Sequence, residues 1–299
     1  MGTIQQILQQ TLNGLALGGI YALLALGYTM VYGIVKLINF AHGDILMLGA
    51  FAGYFVLNYF GITPGTFILS FIISMPVCAL IGILIEKICY KPLRDAPRIN
   101  ALITAIGVSF FIENGARVLP VIGPNPRVFP TLQSVTYDLW GVGISRVQIL
   151  VFIIAIGLMI ILNYIVNYTK IGRAMRAVSF DQGASYLMGI NVDRVISFTF
   201  ALGSALAAAA GILFASSYPQ VEPYMGIMPG LKAFVAAVLG GIGNIPGAML
   251  GGFILGVAET LTKGFISSQL ADAFAFGFLI IILVVKPTGI LGKPVGEKV

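Results

Sequence analysis

The chain has very few charged residues for its length. Asp, Glu, Lys and Arg make up only 9% of its 299 residues, whereas they make up about a quarter of a soluble domain. Apolar residues reach 58%, and the mean hydropathy is +0.99. This composition excludes a soluble enzyme and supplies about eight helical crossings of about 20 residues each. The sequence predicts an all-α, polytopic integral membrane protein, with residues 1–299 as a single transmembrane domain.

Cysteine and histidine are also scarce. The two cysteines, Cys78 and Cys89, belong to one apolar stretch, so neither a disulfide framework nor a metal site follows from them. The net charge of +6 is concentrated at the ends of apolar stretches, which indicates membrane topology rather than binding to nucleic acid. Residues 1–35 contain no charged residue and therefore no basic segment of a secretory signal. The first apolar stretch is predicted to be retained as a span.

Continuous apolar stretches, rich in Gly and Ala, favour helices over barrel strands, which would alternate polar and apolar residues. The predicted spans are residues 12–35, 38–60, 65–86, 99–118, 147–168 and 195–217, an interrupted stretch at 230–262, and 265–285.

The basic residues predict the orientation, because Lys and Arg in short loops stay on the cytoplasmic side. Three segments hold most of them and are predicted to lie inside: residues 86–98, residues 170–194, and the tail with Lys286, Lys293 and Lys298. The loop at 119–145, which contains Trp140 and four prolines, is then outside. A tail on the inside requires that the interrupted stretch either re-enters from one side or crosses twice as two short helices. The sequence leaves both possibilities open.

The octet Gly240–Gly247 interrupts an apolar stretch with four glycines, a proline and an amide. Non-helical backbone at membrane depth is tolerated only inside protein or beside a water-filled cavity. Gly241, Gly243, Asn244 and Pro246 are therefore candidates for lining a pathway. The alternative is a tight seam between helices, since closely spaced small residues also let helices approach.

A second interruption, Ile38–Asp44, contains the only histidine of the chain. Ionisable groups inside an apolar zone are costly and suggest function, which makes Asn39, His42, Gly43 and Asp44 candidates for gating or lining a pathway. The heptad is equally compatible with a short turn in which Asp44 caps the next helix. A metal site is improbable, because one His and one Asp supply too few ligands.

Residues 169–194 form the longest polar segment on the predicted inner side. They suggest an amphipathic helix with one apolar face, either an interfacial helix or a docking element for a soluble partner. That face comprises Met175, Val178, Ala184, Leu187 and Met188. The chain contains no GxxxxGK[ST] phosphate loop, so ATP hydrolysis by the chain itself is not expected.

Several motifs follow one another along nearly the whole chain: Asn13-Gly14 through Gly18, Tyr21-Ala22-Leu23, Asn39 to Asp44, Gly172-Arg173-Ala174, Gly189-Ile190-Asn191, Ala237 to Gly243, Ile245 to Ala248, and Lys286 to Gly292. In this order they resemble the permease subunits of bacterial branched-chain amino acid ABC importers.

The resemblance implies an ABC importer permease fold, multi-pass in the bacterial inner membrane, that carries Leu, Ile or Val. It implies three kinds of partner besides the lipid bilayer: a second homologous permease, two ATP-binding subunits and a periplasmic amino-acid-binding protein. No cofactor is expected on this chain, since ATP would be used by the partner subunits. Residues 170–194 would be the coupling loop through which those subunits act, with Gly172, Arg173, Arg176, Asp181, Ala184, Gly189, Ile190 and Asn191 as its matching positions.

Two other functional classes remain as alternatives. A self-powered secondary transporter would need buried charges for ion coupling, and the sequence offers Asp44, Glu113, Glu259 and Asp272. Each of these four is also plausible at a span end. An intramembrane enzyme using His42 and Asp44 would need a nucleophile or metal held by a third group, and none is apparent.

Overall fold

The chain forms a bundle of long apolar helices. The structure, a computed structural model, describes residues 3–94, 96–132, 135–139 and 141–292. Its helices are α1 (Thr3–Val35), α2 (His42–Phe60), α3 (Pro64–Ile85), α4 (Arg98–Val118), α5 (Arg146–Tyr168), α6 (Lys170–Phe180), α7 (Gln182–Leu187), α8 (Val192–Ser217), α9 (Ile227–Gly240), α10 (Ile245–Phe265) and α11 (Ala271–Val285). Within the described ranges, seven helices are long and apolar enough to span a bilayer, and α9 and α11 are shorter apolar helices. The prediction of an all-α polytopic membrane fold is confirmed.

Two short antiparallel ribbons accompany the helices. Strand β1 (Arg127–Val128) pairs with β4 (Gln220–Val221), with Arg127 opposite Val221. Strand β2 (Thr136–Leu139) pairs with β3 (Val142–Ser145), with Tyr137 opposite Ile144. The β1–β4 pairing holds the loop after α8 on the same face of the bundle as the loop between α4 and α5.

The two faces of the bundle differ in charge. The start of α1 lies on the face of the β ribbons, because Gln9 exchanges two hydrogen bonds with the backbone of Gly143, at 2.9 and 2.8 Å. Four of the described basic side chains lie on the ribbon face: Arg117, Arg127, Arg146 and Lys263. Nine lie on the opposite face: Lys36, Lys87, Lys91, Arg94, Lys170, Arg173, Arg176, Arg194 and Lys286. We call the face with nine basic side chains the cytoplasmic face and the ribbon face the outer face, because Lys and Arg are retained inside. Trp140, Lys293 and Lys298, used in predicting this orientation, lie outside the described residues.

Helix α1 is longer than its apolar stretch. It begins at Thr3 rather than near residue 12 and runs for 33 residues, about 50 Å at 1.5 Å per residue. The additional turns contain Gln5, Gln6, Gln9 and Gln10 and extend beyond a hydrocarbon core of about 30 Å. They end beside the outer ribbons. Hydropathy could not predict these turns, because a helix that leaves the lipid no longer needs apolar residues.

The interrupted stretch is two antiparallel helices, α9 and α10. Gly247 packs on Gly240, and Gly251 packs on Ala236. Later residues of α10 therefore contact earlier residues of α9, as in an antiparallel pair. Of the two possibilities left open by the sequence, the structure has the double crossing. Helix α11 then returns to the cytoplasmic face, where Lys286 is placed in agreement with its charge.

Small residues bring the central helices into backbone contact. Gly14 and Gly18 of α1 face the backbone of α10 around Gly252 and Gly256, and Gly49 of α2 packs on Ala208 of α8. Without a hydrophobic driving force between helices in lipid, such close approach supplies much of the packing energy. Helices α1 and α8 are consequently mostly buried, whereas α3, α4 and α5 expose most of their residues.

Candidate functional site

The Ile38–Asp44 segment lies inside the bundle, not at its surface. The His42 ring occupies the space beside Gly27, eight residues before the cytoplasmic end of α1 and so about 12 Å further into the membrane. Residues 36–41 therefore run back into the bundle without helical structure. Asn39 and Ala41 are buried, as non-helical backbone at this depth requires.

The polar side chains of this segment each contact a different part of the bundle. Asn39 accepts a hydrogen bond of 2.9 Å from the Tyr90 hydroxyl. The His42 ring packs edge-on against Tyr28 at 4.7 Å, and its Nε2 has no hydrogen-bond partner in the described structure. Asp44 is 2% exposed and lies beside Ser109 and Glu113 of α4. It is not a helix cap, because the residue at that position is Ala41, which makes no capping bond through its side chain.

Gly43 is the contact between this segment and α9. Its backbone packs directly on Gly226 and Gly230, which leaves no room for a side chain at Gly43 or Gly226 and very little at Gly230. The start of α2 is thereby held against the start of α9, so a displacement of one helix start would also displace the other.

The Gly240–Gly247 octet forms the turn between α9 and α10 at the cytoplasmic face. Gly241 and Gly243 have φ of 102° and 91°, values that favour glycine. Asn244 caps α10 by accepting from the Gly247 amide at 3.2 Å, and its own amide donates to the Leu291 carbonyl at 2.6 Å. Pro246 sits in the first turn of α10, where a missing N–H costs nothing.

This turn contains a helix seam and also borders a cavity. Gly240 and Gly247 make the α9–α10 seam, whereas Gly243, Asn244 and Pro246 line a cavity of about 570 Å³ that opens on the cytoplasmic face. The other walls of this inner cavity come from α1, α5 and α6. Gly241 packs instead on Thr288 and Gly292 of the tail. A small gap lined by Ile38 and Ile242 is the place where the octet and the Ile38–Asp44 segment meet.

The sequence suggested one amphipathic helix in the loop at 170–194, but the structure has two helices there, α6 and α7. Asp181 has an extended backbone with φ of −153° and caps α7 through a 2.9 Å bond from the Ala184 amide. The helix therefore breaks between α6 and α7. Met175 and Val178 are buried, but beyond the break the apolar face turns outward. Ala184, Leu187 and Met188 are exposed and do not share the buried face of α6.

The remaining coupling-loop residues shape this segment. Gly172 packs on the backbone at the end of α5, Gly189 has φ of 81° in the turn after α7, and Ile190 bonds back to Ser185 at 3.0 Å. Asn191 caps α8 by accepting from the Arg194 amide at 3.0 Å. Arg173 is exposed to the cytoplasmic side.

Two side chains tie the segment to the walls of the inner cavity. The Gln182 amide of α7 donates to the Ile34 carbonyl of α1 at 2.9 Å, and Arg176 of α6 donates to the Val166 carbonyl of α5. Ile34 and Val166 both line the inner cavity. A displacement of α6 and α7 would therefore be transmitted to two walls of that cavity. The resemblance pointed to Arg176 but not to Gln182.

A buried ion cluster lies in the outer half of the bundle. Glu259 of α10 accepts from Lys232 of α9 at 2.7 Å, from Lys263 at 2.6 Å and from the Tyr21 hydroxyl at 2.9 Å. Lys232 also pairs with Asp272 of α11 at 2.6 Å. Of the four acidic candidates identified in the sequence, only Asp272 lies at a helix start with a half-exposed side chain. The sequence did not predict that Glu259 and Asp272 belong to one cluster.

Comparison with known proteins identifies the family. Residues 10–283 match the family described as "Branched-chain amino acid transport system / permease component". The chain belongs to this family. It is 43% identical to the high-affinity branched-chain amino acid transport system permease protein LivH of Escherichia coli K12, over 98% of this chain and 97% of that protein. It is 41% identical to the corresponding permease protein BraD of Pseudomonas aeruginosa over the full length of both.

The chain also matches a more distant import permease. The chain is 26% identical to the ribose import permease protein RbsC of Haemophilus influenzae, over 82% of this chain and 74% of that protein. No solved structure matches the chain. Family membership, together with the seven apolar helices, makes this chain a multi-pass membrane permease component.

Proposed function

We propose that this chain is the membrane-spanning permease subunit of an ATP-driven importer for Leu, Ile and Val in the bacterial inner membrane. The observation that carries the proposal is the 43% identity to LivH along 98% of the chain. The partners are a periplasmic binding protein that delivers the amino acid, a second homologous permease and two ATP-binding subunits. ATP is bound and hydrolysed by those subunits, and this chain binds no cofactor.

The cytoplasmic face supports the docking of a soluble partner. Four large apolar side chains stand out around α7 with exposed fractions of 73–86%: Phe180, Tyr186, Leu187 and Met188. They lie among polar residues on the charged side of the bundle. Clustered exposed apolar residues of this kind mark protein interfaces. We call this set the α7 tip.

The contacts of Gln182 and Arg176 with α1 and α5 give a route for coupling. ATP-driven closure of the partner subunits would displace α6 and α7, and the bonds of Gln182 and Arg176 would pass that displacement to α1 and α5. Both helices line the inner cavity, so its width would follow the state of the ATP-binding subunits. In this scheme Gly243, Asn244 and Pro246 line the exit, and Asn39, His42, Gly43 and Asp44 form the gate above it.

Leucine uptake by proteoliposomes tests the proposal. Vesicles that contain both permeases, the ATP-binding subunits and the binding protein should accumulate leucine only when ATP is present on the side of the ATP-binding subunits. Accumulation of leucine by this chain alone, driven by an ion gradient, would establish the secondary-transporter alternative instead. Uptake of an amide, urea or an aromatic amino acid in preference to Leu, Ile and Val would overturn the proposed substrate.

Replacing Leu187 by glutamate should release the ATP-binding subunits. A charge at a desolvated apolar anchor costs an interface about 2 kcal/mol or more, so at least about tenfold less ATP-binding subunit should co-purify with the permease. The matched control is Val128→Glu, which charges an equally exposed apolar residue on the outer face and should leave co-purification unchanged. Equal retention by both variants would mean that the partner docks elsewhere.

A further inference from the structure

The outer face has a cavity that the sequence did not indicate. It measures about 530 Å³ and lies between α1, the start of α5, the end of α8 and α10, with Thr131 and Leu132 at its rim. This volume falls within the range of small-molecule sites, about 300–1,000 Å³. We call it the outer vestibule, and its walls differ in chemistry.

One wall is cationic. Lys263 of α10 is the only charged side chain among the described residues that line the vestibule, and its side chain is 37% exposed. It shares Glu259 Oε1 with Lys232, so neither ammonium has that oxygen to itself. An ammonium has three N–H donors, and the contact with Glu259 occupies one. Lys263 can therefore bind an arriving carboxylate without leaving Glu259.

A second wall is the negative end of a long helix. Ser216 and Ser217 at the end of α8 line the vestibule together with Tyr218 and Pro219. Pro219 has no N–H to donate to the Ala215 carbonyl, and the Gln220 amide bonds to Tyr218 at 2.6 Å rather than to Ser216. The last carbonyls of α8 thus lack helical donors and carry the negative end of the helix dipole. This environment stabilises a cation.

The third wall is apolar. Leu17 and Ile20 of α1, Leu132 and Val147 lie along it. An amide network closes the far end, where Gln148 donates to Asn13 at 2.6 Å. The vestibule thus presents a cation, a negative helix end and an aliphatic surface. These are the complements of the carboxylate, the ammonium and the branched side chain of a zwitterionic aliphatic amino acid.

We propose that the outer vestibule is the receiving site for the transported amino acid, with its carboxylate on Lys263 Nζ and its ammonium at the end of α8. This inference rests on the proposed function and assigns it a location in this chain. It requires a free carboxylate on the ligand, so leucine binds and leucinamide, which has the same side chain and ammonium, does not.

Protection of an engineered cysteine tests this assignment in the assembled transporter. Ser217→Cys places a thiol in the vestibule, and the hydroxyl it replaces donates to the Leu213 carbonyl of its own helix, at 3.0 Å. Leucine delivered by the binding protein should slow labelling by a membrane-impermeant maleimide at least threefold, and leucinamide should not. Thr131→Cys at the opposite rim is a second reporter with the same expected result.

Charge variants then test the carboxylate contact. Lys263→Gln should abolish the protection of Cys at 217, whereas Lys263→Arg should retain most of it. Arg117 contacts Tyr224 on the outer face, away from the vestibule. Arg117→Gln therefore removes a cation from that face and should leave protection intact.

Labelling that leucine does not slow at either reporter, in a transporter that accumulates leucine with ATP, would overturn this assignment and leave the proposed function standing. Failure of ATP-driven uptake would instead remove the proposed function.

Discussion

Replacing Glu259 with glutamine is expected to destabilise the permease strongly. Glu259 is 2% exposed, and its carboxylate bonds to two ammonium groups and a tyrosine hydroxyl. The variant retains the shape of the side chain but leaves Lys263 without an anion and Lys232 with Asp272 alone. Breaking a buried ion pair by removing one partner costs about 3–5 kcal/mol, and because Lys263 is 37% exposed we expect the lower end of that range.

The measurement is the apparent melting temperature of the detergent-purified transporter. For a domain of this size a loss of about 3 kcal/mol corresponds to a fall of roughly 6–12 °C. Asp193→Asn is the matched control, because Asp193 also pairs with two cations, Lys91 and Arg94, but its side chain is 51% exposed. Exposed ion pairs contribute about 1 kcal/mol or less, so this variant should melt within about 2–4 °C of the parent.

A double variant separates an orphaned cation from a simple loss of packing. Lys263→Gln combined with Glu259→Gln removes the cation that the single change leaves unpaired. The double variant should therefore be more stable than Glu259→Gln alone, a non-additivity expected of contacting residues. Equal melting temperatures for Glu259→Gln and Asp193→Asn would show that the cluster is not shielded from water.

The parts of the fold that could be predicted from the sequence are those with a local physical cause. Apolar stretches located the spans because lipid demands about 20 apolar residues wherever a helix crosses. The octet and the Ile38–Asp44 segment were identified because glycine, proline and ionisable residues interrupt such a stretch locally. The polar start of α1 was missed, because its position depends on the distant contact between Gln9 and Gly143.

Long-range contacts explain what could not be predicted. Tyr21 and Glu259 are 238 positions apart, and no periodicity connects them, so the ion cluster has no signature along the chain. The outer vestibule likewise draws its walls from four helices and a loop. The Asp181 break was missed for a different reason, since an aspartate is compatible both with a helix surface and with a helix cap. The roles of the octet and of Ile38–Asp44 in transport remain predictions.

Replacing Gly256 with leucine is expected to abolish the folded permease, because α1 and α10 share a backbone contact there. A side chain at Gly256 would meet the backbone of Gly18 and the carbonyl of Gly14, and backbone cannot move aside as a flexible side chain can. Overpacking a well-packed interior costs about 1–3 kcal/mol and sometimes more, and here every added atom must separate two helices that line both cavities.

Gly256→Ala should show an intermediate loss, and Gly277→Leu in α11, where nothing lies within 4 Å of the added carbon, should be tolerated. The measurement is the yield of monodisperse protein after detergent extraction. If Gly256→Leu and Gly277→Leu gave equal yields, α1 and α10 could not be in backbone contact, and the walls assigned to the outer vestibule and the inner cavity would have to be redrawn.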